Sequence, residues 1–241
     1  MGEGFLAPGG ATEVLRLAAP LGASAASTLL LLGIGAGAPG RALATDLGVW
    51  VSGFDTDPAL VDLAARRIRR AGAAIAKRAS VELWTPDAQT ARRHSCHHGL
   101  AIEALRDARS LDILPGVVLA IRPGGQLVLQ ELVVTAPGMT AQLTSWCAME
   151  HRSPDLPVEH DITASLAELG LDVRVVEDQT DRHISLVLRG WKHMLGRLSG
   201  NKPTLRQAAT MVAEAELWMR RLRPLREGHL RLVRWNAIVS V

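Results

Sequence analysis

Three glycines spaced two apart, Gly33, Gly35 and Gly37, follow directly on four leucines, Leu29 to Leu32. An acid, Asp55, stands about twenty residues further on. Glycines in such a turn let the chain bend sharply and leave bare backbone that a ligand can approach closely. A carboxylate at the tip of the next strand accepts hydrogen bonds from ribose hydroxyls. The chemistry these residues point to is the holding of a nucleotide-type cofactor. Gly35-Ala36-Gly37-Ala38-Pro39-Gly40 also fits the dinucleotide pattern G-x-G-x-x-G, with Asp55 at a suitable distance, so a nicotinamide-dependent oxidoreductase is one reading of the motif alone.

Other residues carry chemical potential at less telling spacing. His94-Ser95-Cys96-His97-His98 concentrates metal-binding side chains, and Cys147 and His151 stand four apart. Zinc sites draw about four ligands, usually in spaced pairs from different segments. Adjacent His97 and His98 point in different directions, so the plainer reading is a polar loop, and no metal is expected. Glu103 follows a predicted fourth strand, where an acid either pairs with a cationic amine or simply opens a helix. Trp146, Trp191, Trp218 and Trp235 fit core or cap packing, or a face-on contact with a cation.

The elements that must position these groups alternate strand and helix. The apolar run at 28–33 reads as a buried parallel strand. A short helix over 39–47, with Pro39 near its start, and a second strand over 49–54 follow. Asp57-Pro58 sets an N-cap before Pro at the first helical position of a helix reaching about Arg70. Strands are predicted at 81–84, 100–102, 126–134, 173–176 and 230–241. Helices are predicted at 12–21, at 107–121 with Pro115 splitting it, at 161–169 closed by Gly170, and over most of 181–221. Residues 135–160, with Pro137, Pro154 and Pro157, read as irregular. The pattern predicts a doubly wound, mostly parallel seven-stranded α/β sheet in one domain over 1–241. Residues 1–11 form a candidate lid segment, and 135–160 with parts of 181–221 a candidate cap.

Composition narrows the classes further. The 241 residues carry a net charge of +3, and only three of the 27 basic residues are lysines. The arginines are interspersed with acids and lack interleaved aromatics, which argues against a nucleic-acid surface. The leucine run breaks at Gly33, far short of the ~20 residues of a membrane span. Two distant cysteines fit reduced thiols, and the N-terminus has no basic region of a signal peptide, so a cytoplasmic protein is expected.

From Gly4 onward the chain resembles class I S-adenosylmethionine-dependent methyltransferases. Gly33-Ile34-Gly35-Ala36-Gly37 is similar to their first motif, and Ser52-Gly53-Phe54-Asp55-Thr56-Asp57-Pro58 to the end of their second strand. Thr85-Pro86-Asp87-Ala88 resembles the stretch after strand three. Leu119-Ala120-Ile121-Arg122-Pro123-Gly124-Gly125-Gln126-Leu127 resembles their helix, turn and fifth strand. The resemblance implies a Rossmann-like fold and S-adenosylmethionine held by Gly33, Gly35, Gly37, Asp55 and Thr56, with Asp87 and Ala88 at adenine. Gly2 to Gly10, Ser145 to Glu150 and Arg231 to Trp235 are similar to phosphoethanolamine and related small-amine N-methyltransferases. That likeness implies acceptor contacts from Phe5, Trp146 and His160.

The chain departs from this family at positions that matter. The acid two residues before the first glycine is replaced by Leu31. One lost charged hydrogen bond is worth about 1.5–3 kcal/mol. The tyrosine and histidine of the family's amine chemistry correspond to Phe5 and Asp107. Asp107 acts as a base only if burial raises its pKa, and otherwise belongs to an exposed helix start. The chain has no tyrosine at all, which argues against a phosphobase. The resemblance therefore implies methyl transfer to a small molecule, with Asp107 and Glu103 as candidate catalytic groups. A second reading is a catalytically degenerate protein of this fold, acting as a binding or scaffolding subunit with a protein partner or as a homo-oligomer.

Overall fold

The computed structural model describes residues 4–85, 91–107, 110–198 and 203–240. Its sheet has seven strands: β1 Thr28–Leu32, β2 Trp50–Asp55, β3 Ala79–Leu83, β4 His98–Ile102, β5 Gln126–Val134, β6 Leu171–Asp178 and β7 Leu230–Val239. Their spatial order is β3-β2-β1-β4-β5-β7-β6. β1 to β5 pair in parallel, and β7 runs antiparallel to both β5 and β6. The helices are α1 Gly10–Ala18, α2 Ala38–Asp46, α3 Pro58–Arg70, α4 Ala73–Arg78, α5 Leu114–Ala120, α6 Ala141–Glu150, α7 Glu159–Glu168, α8 Thr180–Leu198 and α9 Leu205–Arg226.

The unbroken leucine run of β1 has a simple cause. Side chains alternate across a strand, and both faces of this one are covered. Leu30 and Leu32 join Val117, Ile121, Ile162 and Trp235 on one face of the sheet. Leu29 and Leu31 join Leu17, Leu43 and Ile68 on the other. Leu31, at the position of the family's missing acid, is fully buried in that apolar layer.

Strand order reverses between β1 and β4. Such a switch point opens a crevice at the carboxyl ends of the strands, where α/β folds bind ligands. Gly33 stands there with φ 76°, and a Cβ on it would overlap the carbonyl oxygen of Ile102. The turn can hug β4 only as glycine.

Several local expectations shift. Residues 141–150, expected to be irregular, form α6 with a Thr140 side-chain cap on the Leu143 amide. The prolines at 137, 154 and 157 lie outside that helix, while Leu143, Trp146, Cys147 and Glu150 bury one helical face. The expected 107–121 helix reduces to a 3-10 turn at Ser110–Ile113 and α5. Pro115 sits in the first turn of α5, where its missing N–H costs nothing. α4, unsignalled in the sequence, is a six-residue helix with no buried residue. β4 begins two residues earlier than expected, because ring nitrogens of His97 and His98 accept from the backbone amides of Thr28 and Gln126. The histidines of that cluster thus anchor strand ends. Among the described residues, no three His, Cys, Asp or Glu side chains are placed to hold a metal.

Candidate functional site

One cavity occupies the switch point, with an empty volume of about 970 Å³ including the solvent at its mouth. It runs from the glycine turn, past the ends of β2 and β4, to the first turns of α8 and the buried face of α9. At its glycine-turn end lie Gly33, Gly35, Asp55, Thr56 and Leu60. Asp55 closes β2, and its two carboxylate oxygens accept from the amides of Gly35 at 2.8 Å and Asp57 at 3.1 Å. The acid therefore clamps the glycine turn to the next helix start. A carboxylate offers about four lone-pair positions, so Asp55 retains acceptor capacity for ribose hydroxyls. Burial pushes its pKa up, against the two amides that pull it down. Asp57 caps α3 through the amides of Ala59 and Leu60, as Asp57-Pro58 foretold.

Gly35, with φ 56°, is covered on its cavity side by Leu6, whose Cδ1 would stand 2.8 Å from a Cβ built there. The N-terminal segment thus lies across the glycine turn, and Phe5, Leu6, Ala7 and Pro8 all line the cavity. Gly37 does not line it. With φ 91° it caps α2, and a Cβ there would stand 3.0 Å from Ala64 Cα, so its smallness serves helix packing. Asp87 and Ala88 lie outside the described residues.

The inner end of the cavity is built from charge. Glu103, with φ 45°, follows β4 in the left-handed region, a conformation costing about 1–3 kcal/mol unless neighbours impose it. Its carboxylate accepts from Arg221 Nη1 at 3.0 Å and Arg152 Nη2 at 3.2 Å. Arg221 also grips Glu150 through Nε at 2.6 Å and Nη2 at 2.5 Å. Arg152 reaches Glu131 at 3.1 Å, and Glu131 also accepts from the amides of Leu105 and Leu132. Arg106 Nη2 donates to the Glu150 carbonyl at 2.8 Å. Burial pushes Glu103 up, but Arg221 and Arg152 overcome it and hold the carboxyl at about 2. Glu103 is therefore a structural anion held between two arginines, poorly suited to take a proton near neutral pH.

On the facing side, Glu13 of α1 takes Arg182 of α8 at 2.7 Å and Arg16 at 2.6 Å. Arg16 also donates to Gln179 at 2.8 Å. His183, one residue after Arg182, borders the cavity and is 3% exposed. Its ring lies 5.9 Å from that of Trp218. Its Nε2 has no hydrogen-bond partner. Burial, then Arg221, push its pKa down to about 4.

The remaining expected residues fall elsewhere. Trp146 is fully buried among Leu132, Val134, Leu225 and Leu230, under the Arg152 guanidinium at 5.5 Å. His160 is exposed and borders a separate open groove with Val134, Glu159 and Arg231. Asp107 is exposed on the turn after β4. Neither 135–160 nor His160 covers the cavity; of the expected cap, Arg182, His183, Leu186 and Arg221 contribute to it. Sequence reasoning passed over Glu13, Arg106, Gln130, Gln179, Arg182, His183 and Arg221, all of which line the cavity. Their pairings span as many as 169 residues of chain, so no local spacing announces them.

No protein-family model matches the chain, and no curated protein matches it by sequence. Solved structures match it closely in shape. The Haemonchus contortus phosphoethanolamine N-methyltransferase 2 in complex with S-adenosyl-L-methionine aligns with a TM-score of 0.84 at 18% identity. That alignment covers 100% of this chain and 55% of the other, so the chain spans about half the length of that enzyme. The geranyl diphosphate C-methyltransferase of Streptomyces coelicolor A3(2) aligns with a TM-score of 0.73 at 15% identity, over 95% of this chain and 77% of the other. The cyclase SpnF aligns with a TM-score of 0.73 at 16% identity, over 100% and 90%. At these identities the likeness is one of fold. The chain has the Rossmann-like α/β fold of S-adenosylmethionine-dependent methyltransferases. No described helix is long and apolar enough to cross a membrane.

Proposed function

We propose that this protein transfers the methyl group of S-adenosylmethionine to a small molecule other than a phosphobase. The observation that carries the reading is one cavity joining two unlike ends. A glycine turn and an acid with spare lone pairs stand at the switch point, and an enclosed polar floor lies beyond β4. The bare backbone of the Gly33–Gly35 turn and the Asp55 carboxylate suit the sugar and chain of the cofactor, once Leu6 gives way over Gly35. Thr56 extends that edge, and Asp87 and Ala88 are proposed at adenine from the resemblance. Leu31 replaces an acid with an apolar side chain inside the core, so the pocket relies on backbone groups and Asp55.

The cofactor's sulfonium supplies an electrophilic methyl carbon. The residues then have to align an acceptor with it and exclude water. Phe5 and Leu6 line the cavity, which supports a lid role for the N-terminal segment. Glu103 fixes the floor through its arginines, and Asp107, exposed beyond β4, is retained only as an outer contact. Isothermal titration with S-adenosylhomocysteine tests the reading, and micromolar binding is expected. No binding at millimolar ligand would sink it.

A second reading, a degenerate protein of this fold used as a binding subunit, draws on the buried Leu31 and on Leu6 lying over Gly35. It predicts no cofactor binding and a stoichiometric protein partner on purification.

A further inference from the structure

The ionisable side chains bordering the cavity divide into paired and unpaired groups. Glu13 is held by Arg16 and Arg182. Glu103 is held by Arg152 and Arg221. Asp55 accepts from two backbone amides. At the inner end, Glu13 and Glu103 are thus already committed, while Asp55 keeps acceptor capacity at the glycine-turn end. Three acids, Glu13, Asp55 and Glu103, balance three arginines, Arg106, Arg182 and Arg221, around the same space. A cationic amine meets no unpaired carboxylate at the inner end, and an anion would have to compete with glutamates already seated on Arg182 and Arg221 and with the Glu150 carbonyl on Arg106. The walls between these groups are apolar: Val14, Leu17, Ile102, Leu186 and Leu232.

His183 is the exception. Its Nε2 is buried without a partner, and an unsatisfied buried polar atom is costly enough to call for an explanation. The charges around it come from every side: Arg221 on α9, Glu103 after β4, Glu150 on α6 and Glu13 on α1. With those carboxylates bound to arginine, the imidazole of His183 is a buried, unpartnered polar group bordering the inner end of the cavity.

We propose, building on the methyl-transfer reading, that the acceptor is an uncharged phenol whose hydroxyl donates to His183 Nε2. The phenol O–H bond breaks as its proton passes to Nε2, leaving an imidazolium. The phenol oxygen's electron pair forms the new O–C bond to the methyl carbon of the sulfonium donor. The C–S bond breaks, and its pair stays on sulfur as a neutral thioether. Burial disfavours the imidazolium, so it returns its proton to water as product leaves. A phenol suits this site better than an alkyl alcohol, because its hydroxyl is acidic enough, at a pKa of about 10, to give up its proton during displacement.

The test uses p-cresol, benzylamine and benzoate as neutral, cationic and anionic probes of similar size. Each is titrated into full-length protein labelled with 15N-histidine, with and without S-adenosylhomocysteine. The His183 resonance is assigned by its loss in His183→Leu. We expect p-cresol to shift the His183 Nε2 resonance and to bind at least tenfold more tightly than either charged probe. His183→Leu should weaken p-cresol about tenfold while S-adenosylhomocysteine affinity stays within twofold. The proposal is overturned if p-cresol binds without moving His183, if a charged probe binds as well, or if p-cresol fails to bind in both conditions. A His183 shift with p-cresol in a protein that refuses S-adenosylhomocysteine would support the acceptor site and remove the methyl-transfer reading instead.

Discussion

The two ends of the cavity are built on different principles. The cofactor end is made of backbone: glycine φ angles, strand ends and an acid holding two amides, all within 33–57 of the chain. The acceptor end is made of side chains brought from α1, β4, β5, α6, α8 and α9 and locked by ion pairs. Backbone architecture tolerates substitution anywhere except at its glycines and its acid. A buried ionic lattice tolerates little, because removing one member leaves an opposite charge stranded. The difference teaches that the departures at Leu31 and Phe5 touch the glycine-turn end and the cavity lining, and leave the buried ion-pair lattice of the inner end intact.

The strongest challenge to this contrast is Arg152→Met. It takes the guanidinium from buried Glu131, leaving that carboxylate two amides, and one of two arginines from Glu103; we expect a loss of about 3–5 kcal/mol in urea denaturation, and a loss below ~1 kcal/mol would show that the lattice is not a structural unit. Next comes Gly35→Val, which places a side chain on the turn beside Leu6 at positive φ. Calorimetry should detect no S-adenosylhomocysteine binding in the folded variant, and retained affinity would remove the glycine turn from the site. Asp55→Ala should weaken the same ligand more than tenfold, whereas unchanged affinity would leave Asp55 only its clamp on Gly35.

Acid should then separate two groups of the inner end by stability. Below the ordinary histidine pKa of 6.5, the unfolded chain takes a proton that folded His183 refuses until about pH 4. Stability therefore drops as pH falls across that window, and His98, also lowered by burial, adds to the slope. Glu103 acts lower: its contribution is full above 4.5 and is lost as pH falls toward 2. His183→Leu should flatten the upper slope in denaturation titrations, and an unchanged slope would contradict the buried neutral imidazole. The smallest effect belongs to Asp107→Asn, an exposed site. It should change stability by under about 0.5 kcal/mol and S-adenosylhomocysteine affinity by less than twofold, while a larger change would restore Asp107 to the cavity.

The cofactor end was legible because its signals are local. Leucines buried on both faces, positive-φ glycines and the Asp57-Pro58 cap each act within a few residues, so spacing reveals them. The same locality misled at 135–160, where prolines flanking a helix read as prolines breaking one. Trp146 and His160 were assigned from short stretches of likeness, yet one is core under a guanidinium and the other borders a surface groove.

By itself, the sequence determined an α/β sheet with a nucleotide-type turn at the end of its first strand, because strand alternation and backbone sterics are properties of neighbouring residues. Only the tertiary structure decided that Glu103 is an arginine-bound anion and that His183 is a buried imidazole whose protonation burial disfavours. Burial and charge pairing depend on residues up to 118 positions apart for Glu103 and Arg221, and a one-dimensional pattern carries no record of which side chains will share one low-dielectric space.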